Sequence, residues 1–351
     1  MFGDKKVSWH YTCNHKKFID KIALLQEYNA SKQAIEFHIP KAYDNYDFSV
    51  PPHEPLEELC RLKALELREN NDKIVIWYSG GCDSHYVLNI FLKNKIKVDK
   101  LVMVKSGFKQ ADFEIDQYAI PYAKSTGIDF TVRQPNMAYY EEYYIGKKQM
   151  LGTVHNMWHH FRLNNHFENL EHCDTDGVAN IFGNEKPTLQ FIDGKWYTYF
   201  LDVAVTPQPH QINFFCDYPD IHSKQCHMLV NEIQLMKNQR DYNNITKHNE
   251  NQDFWNRSIG RYNKNSFPLK LMTVDNQYNN KDALAIQQAP EYLVEAWKVH
   301  KNEMLEELGG QNFNNGDPGL GTIGVFSKFY CISEKSTKTV DELFPNGFKS
   351  Q

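Results

Sequence analysis

Several features that place a protein at a glance are scarce in this sequence. No stretch approaches the roughly 18 consecutive apolar residues of a membrane span, and the opening MFGDKKVSWHY carries no apolar segment of the kind that directs export. Seven cysteines, at 13, 60, 82, 173, 216, 226 and 331, form no C-x-x-C pair, and their odd number suits no closed disulfide framework. A cytoplasmic protein is therefore expected, and the N-x-S/T matches at Asn244 and Asn256 are incidental to an Asn-rich stretch. Strong charge of either sign is also missing: the net charge is −5 and the pI near 6.3, so a broad nucleic-acid-binding face is not expected. The local group Lys93, Lys95, Lys97, Lys100, Lys105 and Lys109 reads as solvated edges of a helix and a strand. The phosphate-loop pattern G-x-x-x-x-G-K-[ST], the zinc-protease H-E-x-x-H and the hydrolase elbow G-x-S-x-G are all absent.

What is present is enough apolar material for a sizeable core. The 351 residues are 41% hydrophobic and 24% charged, which suits two domains or one large domain with an appendage. Short helices are expected at 16–28 and 31–37, and Ser49-Val50-Pro51-Pro52 breaks the chain. From Pro55 to about Asn70, Leu56, Leu59, Leu62, Leu65 and Leu67 recur at three- and four-residue steps, with acids in the first turn, as in an amphipathic helix. KIVIWY (73–78) and KLVMV (100–104) are continuous apolar runs of strand length, the mark of strands buried on both faces. Helical patterns follow at 84–93 and 111–126, further strands are expected at 130–133 and 178–182, and helices at 150–172 and 223–238. Asp193-Gly194 between LQFI and KWYTYF is a strong hairpin signal. Residues 238–266 read as loop, Pro290 to Leu308 as a helix, and VFSKFYCI as a strand. Strands alternating with helices predict an α/β fold with a parallel sheet.

The join between the first buried strand and its helix carries the chemistry. In WYSGGCDSHYVL (77–88) the chain passes through Ser79, Gly80, Gly81, Cys82, Asp83 and Ser84. A glycine pair lets the backbone turn tightly with its N–H groups turned outward, and the following helix aims its positive end at the same place. Two serine hydroxyls add donors, which together make a cradle sized for phosphate or pyrophosphate. Asp83 does not suit a purely anionic site unless a cation accompanies the anion, which points to Mg²⁺.

This S-G-G-x-D-S loop, in its strand–loop–helix setting, resembles the signature of the PP-loop (N-type) ATP pyrophosphatases. The resemblance implies a parallel-sheet sandwich of the adenine nucleotide alpha-hydrolase type, Rossmann-like, with ATP and Mg²⁺ as cofactors. It also implies a reaction in which a substrate carboxyl or carbonyl oxygen is adenylated, pyrophosphate leaves, and a nucleophile displaces AMP. By family position, Ser79, Gly80, Gly81, Asp83 and Ser84 hold the pyrophosphate, Asp83 bears on Mg²⁺, and Val104, Lys105 and Ser106 meet the adenine. Cys82 falls at the variable position and reads as a packing residue.

Within the family the chain is most similar to the synthetase half of asparagine synthetase, as found in short phage-encoded asparagine-synthetase-like proteins. The helix 55–70, the Gly183-Asn184-Glu185 turn after the fourth strand and the HSKQCHML helix (222–229) carry that likeness. It implies that Gly183, Glu185 and Lys186 face the loop across the active site, with Lys224 as a weaker phosphate contact. The fuller Gly-Glu-Gly-x-Asp-Glu of the family is not present. The expected division is an N-terminal arm (1–54), a PP-loop domain (55–235) and a helical, irregular C-terminal extension (236–351). About 70 residues before the loop are too few for a glutaminase domain. The nitrogen is therefore expected from ammonia, an amine substrate or a separate amidotransferase partner, and the acceptor from a small molecule.

Two other readings stay open: a PP-loop enzyme that modifies a nucleobase or tRNA, and a module that binds ATP or AMP without turnover. Other motifs carry less. Gly319-Leu-Gly321-Thr-Ile-Gly324 follows a loop and precedes a strand, the wrong context for a dinucleotide fold. His155, His159, His160, His166, His172 and Cys173 lack a recognised ligand spacing, as do His222, Cys226 and His227.

Overall fold

The computed structural model describes residues 9–18, 21–105, 112–133, 177–183, 187–200, 211–234, 290–292, 294–295, 299 and 325–345. The buried apolar runs form the middle of a five-stranded parallel sheet. Its strands are β4 (Lys73–Trp77), β5 (Lys100–Val104), β6 (Phe130–Arg133), β7 (Val178–Phe182) and β10 (Gln211–Asn213), in the spatial order β10-β7-β4-β5-β6. The chain thus starts in the centre, steps outward twice to one side, and returns to the other side of β4. This is an α/β fold with the strand order of a doubly wound sheet.

Alternation along each strand explains why these runs are apolar throughout. Ile74, Ile76, Leu101, Met103, Ala179 and Ile181 face one side. They share a core with Cys60, Ala64 and Leu67 of helix α2 (Leu56–Glu69), and with Val87, Leu88 and Phe91 of α3 (Cys82–Lys93). Val75, Trp77, Val102 and Val104 form a separate buried cluster on the opposite side, with Val178 and Phe182 against it. Of the leucine stripe on α2, Leu62 alone is exposed, because the buried edge runs through Cys60 and Ala64.

The helix expected over 111–126 is present but widened. Ile115–Ala119 is π-helical, with the Ile120 N–H bonded to the Ile115 carbonyl, and it runs directly into α4 (Ile120–Thr126). Pro121 explains the change: it has no N–H to give the Gln117 carbonyl, and its ring crowds that carbonyl, so the preceding turn opens. The last helix on the sheet, α5, spans Pro219–Gln234.

The first fifty residues depart from expectation. The helix expected at 16–28 is present but shifted, as α1 (Lys21–Ser31), and the one expected at 31–37 is absent: strands β1 (His10–Cys13), β2 (Lys16–Phe18) and β3 (Glu36–His38) pair antiparallel around it in the order β2-β1-β3. Trp9, Tyr11 and Cys13 alternate inward and, with Leu24, Leu25, Phe37, Tyr43 and Phe48, join the same core as the parallel sheet. The segment is therefore packed on the sheet domain rather than extended from it. Tyr43 donates to the Cys216 carbonyl (3.0 Å) and Trp9 Nε1 to Asp217 Oδ1 (2.5 Å).

Burial pushes the Asp217 carboxyl up to about 6, against the opposing effect of the bonds from Trp9 and the Asn213 N–H. Between about pH 4 and 6 the unfolded chain has released this proton and the folded chain has not. Its contribution to stability is fully present below about pH 4 and is lost as pH rises through 6, by at most about 3 kcal/mol. Urea unfolding at pH 4.5 and 7 is expected to show this slope in the wild type and not in Asp217→Asn. Equal slopes in the two proteins would show that Asp217 ionises normally.

The Asp193-Gly194 hairpin is present as expected. Strands β8 (Thr188–Ile192) and β9 (Lys195–Tyr199) pair antiparallel around it, with φ of 48° and 79° at the two turn residues, the pattern of a type I′ turn. The strand expected in VFSKFYCI joins this hairpin. β11 (Phe329–Cys331) pairs with β9, and β12 (Thr337–Lys338) pairs with β11, completing a four-stranded sheet β12-β11-β9-β8. A single turn, α6 (Val340–Leu343), follows with a capping box from Thr339 and Glu342. No helix among the described residues is long and apolar enough to cross a membrane.

Candidate active site at the switch point of the sheet

In a sheet of this order the crevice lies where successive connections part company, beyond the carboxyl ends of the strands. Here that is the gap between β4 and β7. The loop Ser79–Gly81 leaves β4 there, and Gly183 leaves β7.

The strand end is firmly set: the Tyr78 N–H bonds to the Val102 carbonyl at 2.8 Å, continuing the ladder one residue past β4. Gly80 then takes φ +74°, in the left-handed region, and a Cβ there would lie 3.0 Å from Ala119 Cβ and 3.1 Å from the Glu114 carbonyl. The π-helical turn is therefore the wall on which this glycine rests. Gly81 caps α3, and the first helical bond runs from the His85 N–H to the Gly81 carbonyl at 2.9 Å. A helix supplies no acceptor for its opening N–H groups, so its positive end faces the crevice.

The two serines knit the loop together. Ser79 Oγ accepts from the Gly81 N–H (3.2 Å) and lies 3.1 Å from Ser84 Oγ. Ser84 Oγ accepts from the Ser79 N–H and donates to the Gly81 carbonyl, each at 3.2 Å. Asp83 stands in the first turn of α3, half-buried, where a carboxylate is favoured by the helix end.

Gly183 meets this loop directly. A Cβ at Gly183 would sit 2.7 Å from the Ser84 nitrogen and 2.8 Å from the Asp83 carbonyl carbon, so the backbone leaving β7 lies against the first turn of α3. The structure thus brings together Ser79, Gly80, Gly81, Asp83, Ser84 and Gly183. Glu185, Lys186 and Ser106 lie outside the described residues. Val104 ends β5 and is buried on the sheet face that carries Trp77. Lys105 follows it, and its ammonium pairs with Asp116 of the π-helical turn at 2.5 Å. Lys224, in the second turn of α5, donates to the Pro52 carbonyl at 2.9 Å, which ties α5 to the chain break before α2.

Three neighbours of the loop carry no motif and went unread. Tyr78 and His85 flank it on either side, and Tyr78 Oη lies 2.8 Å from His85 Nδ1. Both are buried, and burial pushes the Tyr78 phenol well above its ordinary range, so it stays protonated. The π-helical wall is the third, and Pro121 inside a helical pattern was its one sequence signal. On the other sheet face Trp77 stacks on Phe182 (5.1 Å), donates to Asn180 Oδ1 (3.0 Å), and lies 5.7 Å beneath the Arg133 guanidinium.

The remaining candidates separate from this site. His222 is enclosed by Tyr43, Phe48 and Phe200, has Nε2 2.8 Å from Thr198 Oγ1, and is pushed down to about 3 by burial. Burial likewise pushes the Cys226 thiol up to about 12, and His227 Nε2 lies 2.8 Å from the Phe48 carbonyl. His222 and Cys226 are neutral core groups, and His227 is half-buried beside them. His155, His159, His160, His166, His172, Cys173 and the glycines 319–324 lie outside the described residues. Of the lysine group, Lys93 pairs with Glu57 (3.5 Å), Lys97 with Asp99 (2.6 Å) and Lys105 with Asp116, while Lys109 lies outside the described residues. Neither a protein-family model nor a curated protein matches the chain.

Proposed function

We propose that the protein is a PP-loop ATP pyrophosphatase that adenylates a carboxyl or carbonyl oxygen and releases pyrophosphate. Attack by ammonia or an amine would then complete an amide or C–N bond. One observation carries this reading: the Ser79–Ser84 loop and Gly183 converge at the switch point, with Gly80 in the left-handed region and no room for a Cβ at Gly183. A backbone cradle that excludes side chains suits an anion contacted by N–H groups.

In this reading the helix α3 terminus and the two hydroxyls hold the β- and γ-phosphates. They stabilise the negative charge that builds on the leaving pyrophosphate. Among the described residues no three His, Cys, Asp or Glu side chains are grouped to hold a metal. Asp83 alone fits Mg²⁺ in its usual manner, in which one carboxylate and the phosphate oxygens share the ion. When bound there, the ion neutralises phosphate charge. The Lys105–Asp116 pair beside the loop holds the π-helical wall to the end of β5.

The test is ATP turnover with Mg²⁺, ammonia and a pool of amino acids and nucleosides, with the products separated on a column. AMP and pyrophosphate formed only when the pool is present are the expected result, and dividing the pool then identifies the acceptor. Release of ADP and phosphate would overturn the proposal.

A further inference from the structure

The loop is bracketed by a side-chain bond that no motif requires. Tyr78 is the last residue before Ser79 and His85 the first after Ser84, so the contact between their side chains closes a ring around the six loop residues. Both residues are nearly inaccessible, at 2% and 4% exposure. Tyr122 of α4 lies against the His85 ring at 4.5 Å and donates its hydroxyl to Asn89 Oδ1 (2.7 Å), one turn further along α3. The cluster therefore contains two tyrosine hydroxyls, one buried and one half-buried, with different reach. One ties the strand end to the helix start across the loop, and the other ties α4 to the body of α3.

We infer that the Tyr78–His85 bond is a clasp that positions the anion-holding groups of the loop. A purely packing role would be filled as well by an apolar pair of the same shape, without two polar groups withdrawn from water. The polar pair instead fixes a direction and a spacing. The backbone at Tyr78 is anchored to Val102 and the backbone at His85 to Gly81. Joining the two side chains therefore sets how far Ser79 lies from Ser84. That spacing, 3.1 Å between the hydroxyl oxygens, decides whether both reach one phosphate group. Tyr78 and His85 are positioning residues, and their effect on ligand rests on the pyrophosphate reading above.

Calorimetric titration with inorganic pyrophosphate and Mg²⁺ tests the clasp. Tyr78→Phe keeps the ring and removes the bond, and is expected to weaken binding about tenfold. Tyr122→Phe deletes the neighbouring hydroxyl and is expected to lower the melting temperature while leaving affinity within about twofold of wild type. His85→Asn keeps an acceptor near the Nδ1 position and is expected to retain affinity within about threefold. Equal affinities of Tyr78→Phe and wild type overturn the clasp.

A wild type that binds no pyrophosphate removes the ligand reading, and the clasp is then judged by amide hydrogen exchange across 79–84. At least about fivefold faster exchange in Tyr78→Phe, with no change in Tyr122→Phe, sustains it as a device that orders the loop. Unchanged exchange in Tyr78→Phe overturns it.

Discussion

Asp83→Ala is expected to lower AMP formation by about a hundredfold or more while leaving the protein folded. The carboxylate belongs to the first turn of α3, one residue before Ser84. Removing one preorganised charge-stabilising contact from a developing oxyanion typically costs 10² to 10³ in turnover. On the proposed reading Asp83 would act on such a charge through a shared Mg²⁺, which would put the effect in that range. The structural cost is far smaller: a first-turn acid contributes about 0.3–1 kcal/mol to its helix, which is a few degrees of melting temperature at most. Raising Mg²⁺ is expected to restore part of the lost activity. Activity in Asp83→Ala within about threefold of wild type would separate the loop from the chemistry. Ser79→Ala is expected to act more mildly, because it removes a loop hydroxyl that also accepts from the Gly81 N–H but takes away no charge.

Gly183→Val is expected to disrupt both stability and ligand binding. A Cβ at this position falls 2.7–2.9 Å from three backbone atoms of Asp83 and Ser84. None of the three can rotate aside, since they belong to the opening turn of α3. Relief requires either the end of β7 or the helix start to move, and β7 is held by five ladder pairs to β4. Overpacking of a close contact costs about 1–3 kcal/mol where side chains can yield, and backbone atoms yield less. A fall in melting temperature of about 5–10 °C is expected, with pyrophosphate affinity reduced beyond detection. Gly183→Ala follows in the same direction with a smaller shift. A stable Gly183→Val that binds as wild type would show that β7 and α3 part easily, contrary to the packing described.

The parallel sheet was legible because its strands are buried on both faces, which leaves runs such as KIVIW and KLVMV with little alternative use. The Asp193-Gly194 turn was legible for a local reason, the positive φ at both residues. The N-terminal sheet was not. Its turn uses Asn14 and His15 at positive φ without a glycine, and its strands are only three or four residues long. Trp9, Tyr11 and Cys13 do alternate, but three inward positions are too short a run to mark a strand.

In the candidate site, the loop residues could be read from their order, and Gly183 from its place after the fourth strand. The lateral contacts could not, because they join segments far apart in sequence. Lys105 finds Asp116, Lys224 finds Pro52, and Gly80 rests on Ala119. Each pairing depends on where the sheet order places an element, information that spacing along the chain does not contain.

The pairing of β11 with β9 has a consequence for synthesis. Tyr330 sits opposite Thr198, so the ribosome must add over a hundred residues after β9 before its partner strand exists. Among the described residues no earlier strand pairs with this edge of β9, and Tyr197 and Tyr199 wait for the cover that Phe329 and Cys331 give them. An open strand edge beside exposed aromatic rings is a template for association with other chains. Late arrival of a distant strand is also a slow step in forming a sheet. Pairing of β11 closes that edge, and the yield of folded protein should depend on how quickly β11 follows.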